Sequence, residues 1–286
     1  MPIAFIAGIR RYPVKSMLGE EIDASPVTER GLFGDRAYAL LDRATGKIAS
    51  AKHPRLWGQL LTCRAAIEGW TGDSTAIPTI RISLPNGSTV VTGRDDVDAA
   101  LRGLLGRDVA LLRVAPAAAE IERYWPDIEG MSLRDTFTSG TIGQGAPPGT
   151  FFDYAPLHLL TTASLDRLPA TGLFDARRFR PNLIVAPIGA AEGFIENAWV
   201  GQTLLIGPTV RVRVTDPTPR CVVPTLSHGE LPRDVGVLRA VATHNRPPIP
   251  ALGGAVQPSL GVYATVERGG SIRRGDLVRL ARDQAL

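Results

Sequence analysis

The residue best suited to chemistry is Cys221, within the segment Asp-Pro-Thr-Pro-Arg-Cys-Val-Val-Pro that spans residues 216–224. The run Val210–Thr215 predicts a strand that delivers the thiol at its end. Three prolines fix the segment and are expected to keep the thiol out of regular structure. The adjacent Arg220 favours the thiolate, which is both a nucleophile and a soft metal ligand. The alternative is a buried apolar cysteine, the commoner fate of a lone cysteine.

A second candidate is Arg180-Pro181-Asn182, which precedes the apolar run Leu183–Val185. Proline favours an extended conformation for Arg180, and residues two apart in an extended segment point the same way. Arg180 and Asn182 are therefore predicted to project together. A guanidinium binds phosphate through two hydrogen bonds, and an amide both donates and accepts, as the edge of a pterin requires. A surface arginine beside a turn asparagine would have the same sequence.

Two further segments could hold an anion, although each is weak alone. Lys15-Ser16 follows the first predicted strand, and a lysine and a hydroxyl at a strand end can bind an anion. Arg36 follows a glycine-rich turn and is predicted to start a strand. The alternatives are an exposed lysine and a turn stabilised by Asp35.

Other kinds of site have less support. The four histidines lack a shared ligand spacing, and a zinc site of Cys221, His228 and His244 would lack a fourth ligand. No Gly-x-Ser-x-Gly is present, so a hydrolase nucleophile is unsupported. The glycine-rich stretch 140–149 has no Walker lysine, and its two prolines oppose a helix start, which favours a surface loop.

Composition excludes several classes of protein. Lys and Arg number 32 against 28 acids, a net charge of +4 without a basic and aromatic stripe, so nucleic acid is not an expected partner. The chain has only two cysteines, Cys63 and Cys221, so a disulfide framework is not expected. We expect a cytoplasmic protein with reduced cysteines. Cys63 is interpreted as a buried strand residue. No run of 18 apolar residues occurs, so no membrane span is expected.

Strands dominate the predicted elements. Asn86-Gly87 between Ile80–Leu84 and Thr89–Thr92 predicts a hairpin. Val97, Leu101, Leu104 and Leu105 fall on one helical face that Gly106 can end. The remaining expected strands are Ile3–Pro13, Ala37–Leu41, Gln59–Ile67, Val109–Val114, Leu204–Ile206, Gly261–Val266 and Leu277–Leu280.

Few helices are expected in the second half of the chain. Thr161 and Thr162 are predicted to cap a short helix, and a second helix is predicted over residues 234–244. Many short strands with Gly and Pro turns indicate barrels and not a parallel α/β sheet. The predicted fold is therefore mainly β (α+β).

Taken together, five segments resemble one family. Residues 11–16 and 34–36 resemble the N-terminal barrel region of MOSC proteins, which are named for the C-terminal domain of molybdenum cofactor sulfurase. Three further segments resemble the MOSC domain itself: residues 178–185, Arg220-Cys221, and residues 259–263 together with 275–276. The order and spacing match over nearly the whole chain. The chain is similar to the mitochondrial amidoxime-reducing proteins and their bacterial relatives, which reduce N-hydroxylated compounds.

The resemblance implies two linked β-barrel-like domains, at residues 1–115 and 116–286, with the cofactor between them. It implies a molybdenum cofactor (molybdopterin) with Cys221 as metal ligand and catalytic residue. The residues implied to hold the cofactor are Lys15, Ser16, Arg36, Thr161, Thr162, Arg180, Asn182 and Arg220.

The segment after the cysteine departs from the family pattern. Pro219 replaces a serine, and residues 224–232 replace a pair of threonines and an Asp-Pro-x-Thr-Gly run. The expected function is reduction of N-hydroxylated or N-oxide-type small molecules. With no cysteines for an iron–sulfur cluster, electrons would come from a separate ferredoxin- or flavoprotein-type reductase. The alternative is a non-enzymatic cofactor carrier or persulfide module in which Cys221 bears the sulfur.

Overall fold

Short strands make up most of the regular structure in the computed structural model, which describes residues 1–69, 76–129, 131, 133–169 and 174–281. In chain order the first nine strands are β1 (Ala4–Arg11), β2 (Glu20–Ile22), β3 (Ala24–Thr28), β4 (Gly31–Leu32), β5 (Ala39–Asp42), β6 (Arg64–Ile67), β7 (Ile80–Ser83), β8 (Thr89–Val91) and β9 (Val109–Leu112). The later strands are β10 (Glu120–Trp125), β11 (Thr136–Thr141), β12 (Leu157–Thr161), β13 (Leu183–Pro187), β14 (Thr203–Ile206), β15 (Val210–Pro219), β16 (Pro248–Ile249), β17 (Ala255–Val256), β18 (Ser259–Arg268), β19 (Gly270–Arg273) and β20 (Leu277–Leu280).

The described helices are all short. The α-helices are α1 (Pro54–Trp57), α2 (Val97–Leu105), α3 (Thr162–Asp166), α4 (Ala176–Phe179) and α5 (Gly236–His244), and the 3₁₀ helices are Gly58–Thr62, Ile195–Trp199, Val223–Thr225 and Pro250–Leu252.

Seven strands close into a barrel in the order β13-β12-β18-β15-β14-β20-β1, because β1 also pairs with β13. Neighbouring strands are antiparallel except for β12 and β13. The strands alternate as expected for a sheet with one dry face: Val210, Val212 and Val214 are buried, whereas Arg211 and Arg213 are exposed. Each such buried side chain contributes about 1.5–3 kcal/mol. Closure leaves no free edge within the barrel.

A second apolar core lies beside the barrel, formed by the pair β5-β9, the sheet β6-β7-β8 and helix α2. Its Asn86-Gly87 hairpin and the helix Val97–Leu105 confirm the sequence predictions, with Gly106 ending the helix in the left-handed conformation (φ 62°). The mainly β fold with a barrel and few short helices is likewise confirmed. Strand β1 belongs to the first barrel although it lies in residues 1–115, and the boundary at residue 115 stays a prediction.

One local expectation was wrong, and two features of the strands were not predicted. Part of the strand predicted over Gln59–Ile67 is the 3₁₀ helix Gly58–Thr62. Glu120–Trp125 and Thr136–Thr141 pair as the antiparallel strands β10 and β11; most of their residues are half-buried, so no regular apolar alternation marks them in the sequence. Strand β15 continues through Pro217 to Pro219, because its pairing with β18 shifts register twice there and proline is tolerated at such irregularities.

Among the described residues, no helix has both the length and the apolar character needed to cross a membrane.

Gly261 in β18 offers a direct test of the tight packing behind Cys221. Its φ is +76°, and an added Cβ would collide with the His158 ring and the Leu159 carbonyl. Gly201 has a similar φ (+79°) but open space around it. We expect Gly261→Ala to lower the free energy of unfolding by clearly more than Gly201→Ala, which carries only the backbone cost of about 1 kcal/mol. Urea denaturation measures both; equal losses would show that the close approach is unimportant.

Candidate functional site

A cavity lies between the barrel and the second core, and it gathers most of the residues singled out from the sequence. Those in its lining are Lys15, Ser16, Arg36, Arg180, Asn182, Arg220 and Cys221. They come from segments that are distant in sequence, and the pairing of β1 with β13 brings the segments after β1 and before β13 side by side. The lining of described residues contains six cationic side chains, Lys15, Arg36, Lys52, Arg178, Arg180 and Arg220, and one carboxylate, Asp153.

Cys221 follows the end of β15 and precedes the 3₁₀ helix Val223–Thr225, so its thiol is held at a fixed point of the wall. It is half-buried and unbridged. Cys63, by contrast, is fully buried in the second core, and burial raises the pKa of its thiol to about 11. Of the two cysteines, Cys221 is therefore the one open to a ligand.

Two guanidinium groups are positioned on the ring of Tyr12. The Arg36 and Arg180 Cζ atoms lie 4.6 and 4.3 Å from its centroid, a cation–π distance. Arg36 also pairs with Asp35, and Arg180 Nη1 donates to the Met17 carbonyl at 2.8 Å. Burial, reinforced by Arg36, lowers the pKa of Arg180 to about 10. The ring and these acceptors hold two like charges close together at the cavity.

The extended conformation expected for Arg180 was wrong. Arg180 ends helix α4 with φ 55° and ψ 47°, the left-handed conformation. Pro181 disfavours the right-handed helical region for the residue before it, and the left-handed conformation satisfies that restriction while ending the helix. Arg180 and Asn182 nevertheless both line the cavity.

Lys15 shares its carboxylate with a lysine that the sequence analysis missed. Lys15 Nζ lies 2.6 Å from Asp153 Oδ1 and Lys52 Nζ lies 3.0 Å from Asp153 Oδ2. Burial lowers the pKa of Lys15 to about 8, with Asp153 opposing it. Burial is also the largest single effect on Lys52 and opposes its charge, but Asp153 together with smaller contributions outweighs it, and the pKa of Lys52 is raised. The two lysines overcome burial at Asp153 and hold its pKa well below the usual range.

Ser16 and Asn182 line the cavity with side chains that already serve the main chain. Ser16 Oγ accepts from Ala51 N at 3.0 Å. The Asn182 amide accepts from His158 N at 3.1 Å and donates to the Arg10 carbonyl at 3.3 Å. Asn182 therefore fixes the junction between β1 and β12, with one amide hydrogen left for a ligand.

Arg220 points its guanidinium into the protein beneath Cys221. Its Nε and Nη1 donate to the carbonyls of Leu260 and Phe179, each at 3.0 Å, and its Nη2 lies 2.5 Å from His158 Nε2. Burial is the main effect that holds the pKa of His158 well below its usual range, and the positive charge of Arg220 adds to it. The imidazole is therefore neutral and can accept a hydrogen bond from Arg220. Burial also lowers the pKa of Arg220 to about 10. Arg220 therefore places a positive charge below the thiol, and its hydrogen bond to the Leu260 carbonyl connects this segment to β18.

Arg178 anchors the segment after the cysteine, residues 224–232, where the sequence departs from its family pattern. It is fully buried, and its guanidinium donates to the Pro224, Leu226 and Pro232 carbonyls at 3.2, 3.0 and 2.6 Å. Three carbonyls on one cation hold this irregular segment without regular secondary-structure pairing.

Thr161 and Thr162 are not brought into the cavity lining. Thr161 caps helix α3, accepting from Ser164 N and donating to the buried Glu196 carboxylate at 2.6 Å. The capping prediction is thus confirmed for Thr161, whereas Thr162 is the first residue of the helix itself. The hydroxyl of Thr161 is engaged away from the site. Burial raises the pKa of Glu196, although the hydrogen bonds from Ser164 and Thr161 act to lower it.

The sequence analysis missed Lys52, Asp153, His158 and Tyr263, all of which line the cavity. Asp153 had the clearest signal, because it stands in the run Phe151-Phe152-Asp153-Tyr154, where a carboxylate among aromatic residues needs a partner. Within the described ranges no cluster of three or more His, Cys, Asp or Glu side chains could hold a metal ion, which leaves the zinc alternative without support.

The cavity fits a molybdenum cofactor in the chemistry of its groups. That cofactor carries a phosphate and a dithiolene, both anionic, and the lining offers an excess of buried cations beside one accessible thiol. Arg36, Arg180 and Lys15 all line the cavity, together with a soft donor at Cys221.

A second cavity adjoins the first at Cys221. The two share Lys52, Asp153, Pro219, Arg220, Cys221 and Tyr263, and the second extends between the hairpin β10-β11 and residues 249–257. The thiol therefore lies where two compartments meet.

Arg178→Lys tests the anchoring of the segment after the cysteine. Lysine keeps the charge but cannot serve the three carbonyls with a planar fork, so we expect a loss of about 1–3 kcal/mol in the free energy of unfolding. Arg134→Lys is the control: Arg134 is exposed and paired with Asp127, and its loss should stay within about 0.5 kcal/mol. Equal effects of the two substitutions would contradict the anchoring role.

Glu196→Gln tests the buried carboxylate behind Thr161. Because burial raises the pKa of Glu196 above its unfolded value of 4.5, the native state binds the extra proton, and stability falls as pH rises from about 4.5. We expect the Gln variant to lose this contribution, so that its stability relative to the wild type increases with pH. Denaturation from pH 4.5 to 8 measures it, with the exposed Glu192→Gln as control. A constant difference would contradict the shift.

Comparison with known proteins identifies the domains of this chain. The model of the MOSC domain family matches residues 147–279, and that of the MOSC N-terminal beta barrel domain matches residues 3–94. MOSC domains are associated with molybdenum cofactor binding.

Curated relatives include the mitochondrial amidoxime reducing component 2 of Rattus norvegicus, 25% identical over 93% of this chain and 80% of the relative. The Homo sapiens protein of the same name is 31% identical over 44% of this chain and 37% of its own length. A crystal structure of the YuaD protein from Bacillus subtilis aligns with a TM-score of 0.43 and 11% identity, covering 96% of this chain and 93% of that one. With both domain models matched in order along its length, the chain is a MOSC-domain protein.

Proposed function

We propose that this protein is a molybdenum-cofactor-dependent reductase of N-hydroxylated or N-oxide-type small molecules, with the Cys221 thiolate as the protein ligand to the metal. The observation that carries the proposal is the position of Cys221, an accessible thiol on the wall of a cavity with six cationic side chains and one carboxylate. The similarity to amidoxime reducing components supports the reaction class.

In this proposal the residues that line the cavity have separate roles. Arg36 and Arg180, held on Tyr12, would bind the phosphate of the cofactor, and Lys15 would offset further negative charge. The O–H of Ser16 and the remaining amide hydrogen of Asn182 would donate to the pterin. Arg220 would stay in place next to Cys221, held by its hydrogen bond to the Phe179 carbonyl.

The cofactor, when bound, supplies two-electron and oxygen-atom chemistry, and the protein orients its partners. The second cavity lies on the other side of Cys221, so a substrate could approach the thiol from that side. The shared lysine Lys52, paired with Asp153, places a proton-bearing ammonium between the two compartments, where it could donate to a departing oxygen. Electrons would come from a separate ferredoxin- or flavoprotein-type reductase in the cytoplasm.

The test uses Cys221→Ala with Cys63→Ala as the matched control, both produced in a host that makes the cofactor. We expect wild type and Cys63→Ala to contain molybdenum and to reduce benzamidoxime with a chemical electron donor. Cys221→Ala should retain pterin through the cationic wall but lose turnover by more than about 100-fold, since loss of a mere supporting group of a metal ligand already costs about 10–100-fold.

Two results would contradict the proposal. Full turnover by Cys221→Ala would remove Cys221 from the reaction. Stoichiometric molybdenum in the wild type without reduction of any N–O compound would instead favour the carrier or persulfide module.

A further inference from the structure

The second cavity at Cys221 has a chemical character of its own. Its described walls are rich in rings and aliphatic side chains, contributed by Trp125, Tyr154, Ile249, Leu252 and Tyr263. Trp125 is held in place by a hydrogen bond from its Nε1 to Thr138 Oγ1 at 2.8 Å, and the rings of Tyr154 and Tyr263 pack with centroids 5.4 Å apart. Walls of this kind fit a flat, largely apolar ligand.

Arg123 introduces a cation at this wall. It lies two residues before Trp125 on β10, so both side chains project from the same face of the strand into the cavity. Within the described part of the chain Arg123 has no acidic partner, and its Nη2 donates to the Thr141 carbonyl at 3.3 Å. A half-buried guanidinium without a carboxylate retains donors for an anion.

Gly140 makes room for this guanidinium on the neighbouring strand β11. A Cβ built on Gly140 would lie 2.6 Å from Arg123 Nη1, so any other residue there would push the group aside. The glycine thus allows Arg123 to lie across the hairpin at the cavity.

The two carboxylates of this cavity are already neutralised or occupied. Asp153 is shared by Lys15 and Lys52. Asp216 is buried, accepts from Ala251 N at 2.7 Å and is hydrogen-bonded by the side chain of Tyr154. Neither is left to pair with Arg123, so an anionic ligand would meet an uncompensated cation.

We propose that the substrate of this site is a flat, aromatic N-hydroxylated compound that also carries a carboxylate. Its ring lies among Trp125, Tyr154 and Leu252, its carboxylate binds Arg123, and its N–O group is directed to Cys221. This rests on the proposed function for the reaction, and on the second cavity alone for the recognition of the anion.

The test compares two probes that differ by one para-carboxylate group, benzamidoxime and 4-carboxybenzamidoxime, by calorimetric titration of the full chain. Wild type should bind the carboxylated probe about 10-fold or more tightly than the neutral one, as expected for a hydrogen-bonded charge. Arg123→Gln should remove this preference and leave the affinity for benzamidoxime unchanged. Arg123→Lys should retain part of it, because a lysine keeps the charge without the planar fork.

Two further variants control for folding and for general charge. Arg134→Gln removes an exposed arginine that does not line the cavity and should leave the preference intact. Gly140→Ala keeps Arg123 but displaces its guanidinium, and should weaken binding of the carboxylated probe alone. Circular dichroism verifies the fold of each variant.

The results separate this inference from the proposed function. A preference for the carboxylated probe that depends on Arg123 supports the anion site even in a protein that reduces neither probe. Equal binding of the two probes by wild type, or equal weakening of both by Arg123→Gln, would overturn the inference even in a protein that turns over benzamidoxime.

Discussion

The pairing of β1 with β13 is the constraint on which the site depends. It closes the barrel, and it places the segment that leaves β1 at Arg11 against the segment that enters β13 at Leu183. Tyr12 and Lys15 come from the first of these segments, and Arg180 and Asn182 from the second. The hydrogen bond from Arg10 N to the Asn182 carbonyl, at 2.8 Å, fixes the junction. A shift in register would separate the charges of the cavity wall.

The concentration of charge at this junction has an energetic cost that the fold offsets locally. Arg36 and Arg180 lie near each other, and burial and repulsion from Arg36 both oppose the charge of Arg180. The Tyr12 ring, Asp35 and main-chain carbonyls compensate part of it, as Asp153 does for Lys15 and Lys52. A bound anion would relieve the remainder, so occupancy should stabilise the native state by mass action.

Residue types with strong local signals were predictable from the sequence. The Asn86-Gly87 turn, the Gly106 helix end and the Thr161 cap each obey a local rule, and the structure confirms them. The gathering of the cationic residues at Cys221 was suggested only by their order along the chain. Lys52 and His158 could not be found in this way, because their importance arises from contacts with Asp153 and Arg220, which are distant in sequence. The left-handed Arg180 required knowledge of where α4 ends.

The central claim is that the Cys221 thiolate binds the metal inside this cationic cavity. X-ray absorption at the molybdenum K edge tests it most directly, on wild type and Cys221→Ser purified from a host that makes the cofactor. The account predicts one fewer sulfur neighbour around molybdenum in the serine variant, with an oxygen in its place. An identical sulfur count in the two proteins would contradict it.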